Sequence, residues 1–113
     1  MDLIDNSLDA LKDIIEMAKD KDIQVVGVIF PQNPKYKETG AFGRYGMRRS
    51  LAKSLIDQFH KMEKKNKNFT LLDENKMGDH DYTDQEAVDF DHLCYNGVPK
   101  ITARLDSVLR TLK

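Results

Sequence analysis

Cysteine is nearly absent from this chain. Cys94 stands alone among 113 residues, which excludes an intrachain disulfide and leaves the redox compartment open. No sign of charge dominates either: 18 Lys and Arg face 19 Asp and Glu, for a net charge of -1, so no global field draws the chain to nucleic acid or to an anionic membrane surface. No apolar run is long enough to cross a bilayer, and residues 1–20 are too acidic and too amphipathic for a signal peptide. Hydrophobic residues make up 40%, slightly under the globular norm, and charged residues 33%, above it. These values describe one domain, or a piece of one, with a modest core.

Within those limits the hydrophobic pattern is regular. Ile4, Leu8, Leu11, Ile15 and Ala18 recur at helical spacing, with Asp5, Asn6 and Ser7 as capping candidates and Lys19 and Lys21 suited to the far end of the dipole. Ile23 to Phe30 is almost wholly apolar and β-branched, the pattern of a strand buried on both faces in a parallel sheet, and Pro31 stops it. A polar, glycine-containing loop fills 31–46. A second helix from about Arg48 to Lys64 aligns Leu51, Leu55, Phe59 and Met62, leaves His60 solvated, and ends in the basic cluster Lys61 to Lys67. Phe69 to Asp73 reads as a shorter strand. Glu74 to Asp91 is acidic and irregular, with a brief helical possibility around Asp84 to Val88. A last helix starting near Pro99 buries Ile101, Leu105, Val108, Leu109 and Leu112.

The expected fold is therefore α/β, in the order α-β-α-β-α, with three main helices and few parallel strands. Two strands make a thin sheet. Either the chain is part of a longer domain, or the open strand edge pairs with another copy, because an unpaired apolar edge is an association site on physical grounds.

Three groups of residues carry chemical potential. Asp89 and His92 have the spacing of a carboxylate that orients an imidazole on one side of a turn; the bland reading is a surface pair capping the last helix. Asp79, His80 and Asp81, with Asp73, Glu74 and Asp84, offer oxygen and nitrogen ligands, but without the regular spacing of a calcium loop or a helical His pair for zinc, so a solvated acidic loop is expected and no cofactor is assigned. Tyr36, Lys37, Phe42, Arg44, Tyr45, Arg48 and Arg49 interleave aromatics with cations, as sugar- or anion-binding loops do and as ordinary loop packing does; Arg44 and Tyr45 are the best placed to face a site above the sheet. The loop glycines lack both the Gly-Lys-Ser/Thr ending and the dinucleotide spacing that cradle phosphates. Cys94, two residues after His92, is poorly placed for a thiol–imidazole pair.

Val28 to Pro34, Phe69 to Asp73, Asp89 to Leu93 and Asn96-Gly97 together resemble the C-terminal half of SGNH/GDSL-type hydrolase domains, over most of residues 20–113 but with a distinctive part of only about ten residues. The Asp91-His92-Leu93 stretch with Gly97 and the Thr102 to Leu105 segment is similar to bacterial cell-envelope relatives, and more loosely to terminal segments of large predicted lipoproteins. The resemblance implies a partial flavodoxin-like three-layer sandwich. It also implies Asp89 and His92 as acid–base pair, an ester such as an acylated polysaccharide as substrate, and an exported or envelope location; Gln32, Asn33, Arg44 and Tyr45, on the loop that follows the first strand, are the expected substrate-binding residues.

The departures are as informative. Neither a Gly-Asp-Ser block nor a Gly-x-Asn-Asp block occurs, and Ser7, Ser50, Ser54 and Ser107 all fall on expected helices or their caps. The expectation is a C-terminal segment that is inactive alone, makes no membrane contact, and forms a homodimer or packs against the rest of its domain. The rival expectation is a non-catalytic glycan- or protein-binding envelope module acting through the Gln32–Tyr45 loop. Retention on a polysaccharide that survives His92→Ala but fails in Arg44→Ala separates the two.

Overall fold

A computed structural model describes residues 2–43, 46–89 and 92–112. The chain is α/β in the expected order: α1 (Asp2–Asp20), β1 (Val25–Ile29), α2 (Arg49–Lys65), β2 (Phe69–Asp73) and α3 (Val98–Thr111), with single 3-10 turns at Pro34–Glu38, Lys76–Gly78 and Asp84–Glu86. The helical possibility around Asp84 is thus one short turn. The two strands pair in parallel, from Val25 opposite Phe69 to Ile29 opposite Asp73.

The core lies where α1 and α2 meet one face of this pair. Leu8 and Ile15 of α1, Leu55 and Met62 of α2, and Phe69 of β2 form a buried cluster, flanked by Ile4, Leu11, Val25, Leu51, Phe59 and Leu71. The apolar stripe of each helix, one side chain per turn, puts these residues on a single line. Burial of each contributes about 1.5–3 kcal/mol. α1 ends in a left-handed cap: Asp22 has φ 59°, and the Ile23 N–H reaches back to the Ala18 carbonyl at 2.8 Å. The buried Asn68 then ties the helix to the start of β2, its Nδ2 donating to the Ile15 carbonyl at 3.0 Å.

Two expectations are corrected. The strand is shorter than Ile23–Phe30: Ile23 is taken up by the α1 cap and is 51% exposed, while Phe30 lies past the ladder and is 62% exposed. Val25–Ile29 is half-buried throughout, not enclosed on both faces, because β2 covers one edge and the other carries no strand among the described residues. On α3 only Ile101 is fully buried, and Leu109, expected inside, is 50% exposed. α3 is held largely by polar contacts at its N-terminal half, as the site shows.

Candidate functional site

The site is built where both strands end. The Asp73 carboxylate closes a turn by accepting the Asn75 and Lys76 N–H groups at 3.0 and 2.9 Å. The buried Asn75 amide then donates to the Phe30 carbonyl at 2.9 Å and fixes the exit of β1. Beyond it, Asn33 Oδ1 accepts the Lys35 N–H at 2.9 Å, and Pro34 opens the first 3-10 turn. The Gln32 amide lies against Gly43: a Cβ there would stand 2.4 Å from Gln32 Nε2. This glycine makes room for a side chain rather than for a phosphate. Gln32 Oε1 is buried with no hydrogen-bond partner among the described residues.

His80 closes over the same exit. Its Nε2–H donates to the Gln32 carbonyl, and its Nδ1 accepts the Tyr82 N–H at 3.2 Å. A carbonyl only accepts and an N–H only donates, so the pair selects the neutral ring protonated on Nε2.

Asp89 and His92 arrive on a hairpin. Ala87 pairs antiparallel with Leu93, the Val88 N–H donates to the His92 carbonyl at 2.9 Å, and the Cys94 N–H to the Glu86 carbonyl at 3.0 Å. The His92 Nδ1–H faces both Asp89 oxygens, at 2.8 and 3.0 Å, while the His92 side chain stays 73% exposed. Gly97 allows the hairpin to close. A Cβ there would sit 2.4 Å from the Glu86 carbonyl oxygen and 3.2 Å from Leu93 Cδ2. Gly97→Ala therefore destabilises the fold by about 1–3 kcal/mol through overpacking and moves the His92 ring resonances, both readable by denaturation and NMR. An unchanged His92 signal would disprove the coupling.

These elements meet in one cleft. Gln32, Asn33, His80, Thr83, Asp89 and His92 line it, with Pro31, Pro34, Ala87 and Leu93 as apolar members, and its empty space, open mouth included, is about 310 Å³. Four of the six sequence-predicted site residues thus converge, at the end of a parallel strand where α/β folds place ligands. The other two, Arg44 and Tyr45, lie outside the described residues, as does Asp91.

The acidic stretch is solvated at Asp79, Asp81 and Asp84, as expected, but not at Glu74. Glu74, 3% exposed, accepts the Tyr82 hydroxyl at 2.7 Å and Arg104 Nη1 at 2.8 Å. Arg104 also grips both oxygens of Asp81. Lys100, one turn earlier on α3, donates to the Asp81 carbonyl at 2.7 Å and to Glu86 at 2.9 Å. The Tyr82 ring has the Lys100 ammonium 4.7 Å and the Arg104 guanidinium 5.6 Å from its centre. Hydrogen bonding to Arg104 holds the Asp81 carboxyl well below the usual carboxylate range, and Lys100, then the Thr83 N–H, lowers that of Glu86. Burial, then donation to Glu74, pushes the Tyr82 phenol upward. Among the described residues no group of three His, Cys, Asp or Glu side chains has the arrangement of a metal site.

In the basic–aromatic group, Lys37 is paired with Asp79 at 2.6 Å and lowers its pKa, and Arg49 donates to the Met77 carbonyl at 2.7 Å. Both cations pin the loop to the turn after β2. His80 in the cleft and the Glu74–Tyr82–Arg104–Lys100 latch were not singled out as such by spacing. The available signal was the Lys100/Arg104 pair at helical spacing, set against a run of acids.

No protein-family model, no curated protein and no solved structure matches the chain. No helix among the described residues is long and apolar enough to cross a membrane.

Proposed function

We propose that this chain carries the acid–base half of an SGNH-like ester-processing site, in a protein of the bacterial envelope acting on acylated polysaccharide or another ester. Asp89 orients the His92 ring. His92 Nε2 takes the proton of an attacking hydroxyl as its oxygen bonds to the ester carbonyl, and the imidazolium returns that proton to the departing alkoxide. The hydroxyl comes from outside the described cleft: its lining holds no serine, and its Thr83 and Tyr82 hydroxyls donate to Glu86 and Glu74. One observation supports this reading above the rest: His92 Nδ1 is held by both Asp89 oxygens while the opposite ring nitrogen has no hydrogen-bond partner among the described residues.

The chain alone is expected to give no turnover of short acyl esters above background. Catalysis that disappears in His92→Ala would refute the inactivity of the isolated chain. The orienting role has its own readout. Imidazole nitrogen shifts should report His92 as the Nδ1–H tautomer, and Asp89→Asn should disturb it. A ring already protonated on Nε2, and indifferent to Asp89→Asn, removes the base from the scheme.

A further inference from the structure

We infer that the outer edge of β1 is a self-association surface, where a second copy of this chain pairs antiparallel about a two-fold axis at Gly27 and makes one continuous four-stranded sheet. The inference goes beyond the ester-processing reading: it gives the open edge to a second copy rather than to a further strand of the same domain.

The hydrogen-bond pattern leaves this edge open. The Val25 N–H donates to the Asn68 carbonyl and the Glu74 N–H to the Ile29 carbonyl, so in this register the odd-numbered residues of β1 face β2. Val26 and Val28 turn their N–H and C=O groups the other way, and none of these groups has a partner among the described residues. The outer edge of β2 is treated differently: the Leu71 N–H, which points away from β1, is capped by the Glu63 carboxylate at 2.7 Å. One edge is thus closed by a side chain from α2, and the other is not.

Sequence at the open edge offers no defence either. Edge strands are ordinarily guarded by charge or by proline within the strand. In a chain that is 33% charged, no charged residue occurs from Ile23 through Pro34, and Pro31 lies beyond the ladder. Large hydrophobics flank the edge instead, with Ile23 before it and Phe30 after it, both more than half exposed.

A second copy matches all three features at once. With Gly27 at the axis, Val26 exchanges hydrogen bonds with the partner's Val28, and Val28 with the partner's Val26. The same register sets Phe30 beside the partner's Gln24 and Ile23 beside the partner's Pro31, so no charge is buried and both exposed hydrophobics gain cover. The symmetry closes on itself, which limits assembly to a pair. The contact is narrow, and the dimer is accordingly weak and concentration-dependent.

The test is sedimentation of the full chain over a range of concentrations, with amide exchange as a second readout. The expected result is reversible dimerisation, with Val26 and Val28 amides becoming protected as the dimer fills. Val28→Pro removes only an outward N–H from the backbone ladder, and Phe30→Lys alters a side chain already in water. Each should shift the equilibrium at least tenfold toward monomer while helical circular dichroism is kept. A chain that stays monomeric at every concentration overturns the inference, even if it captures a strand from another polypeptide. So does a dimer that survives Phe30→Lys with Val26 and Val28 amides still exchanging freely.

Discussion

Arg104→Met lowers the free energy of unfolding by about 3 kcal/mol in urea denaturation. Methionine preserves the apolar stem of the side chain, so the loss reports the guanidinium. Without it, the buried Glu74 carboxylate keeps only the Tyr82 hydroxyl, and a carboxylate out of water with half its partners removed is among the costlier defects a small domain can carry. The Asp81 arm of the same guanidinium is more exposed and adds no more than about 1 kcal/mol. Adding Glu74→Gln to Arg104→Met removes the orphaned charge and should recover part of the loss. A double variant no more stable than the single one would show that Glu74 is not the seat of the effect.

The same pairing has a signature in acid. Asp81 in the fold titrates well below the usual carboxylate range, whereas unfolded it titrates near about 3.9. Its contribution is fully present above the unfolded value and is lost as pH falls below about 4 toward the folded one. Wild-type stability should therefore decline through that window, with Asp79 and Glu86 adding in the same direction. Arg104→Met should flatten the Asp81 share of the decline.

Phe69→Ala is expected to cost about 4 kcal/mol. Phe69 begins β2, is 3% exposed, and stands against Leu8, Ile15, Leu55 and Met62 in the buried cluster. Its ring also packs beside Gly27, where a Cβ would meet the ring carbons at 3.4 and 3.5 Å, so it joins both strands as well as both helices. Truncation leaves a void that neither helix can fill without giving up its own stripe. Ile15→Val, which removes one methylene from the most buried side chain, should cost only about 1 kcal/mol. In a domain with so modest a core, the larger loss should abolish the cooperative thermal transition seen by circular dichroism. A Phe69→Ala protein that melts within a few degrees of wild type would mean the cluster does not carry the fold.

Local pattern determined a great deal here. The 4-3 spacing of Ile4, Leu8, Leu11, Ile15 and Ala18, and that of Leu51, Leu55, Phe59 and Met62, reports helical faces because burial selects one side of a 3.6-residue period. The apolar runs around Val25–Ile29 and Phe69–Asp73, separated by a helix, imply parallel pairing because a tight turn cannot connect parallel strands. Asp89 and His92 were legible as a candidate pair because a turn can bring side chains three residues apart together, and the hairpin closed at Gly97 supplies that turn.

Tertiary structure decided everything that depends on residues distant in sequence. His80 reads as one member of an acidic tract until the carbonyl of Gln32, 48 positions earlier, accepts its Nε2–H. Glu74 reads as solvated until Arg104 on α3 reaches it and it proves buried. Ile23 and Phe30 read as strand until the α1 cap claims one and the ladder stops short of the other. A hydrophobic period states which side of an element is buried, because that choice is made within a few residues. It does not state which distant polar groups will share a low-dielectric pocket, because that requires the chain to have closed.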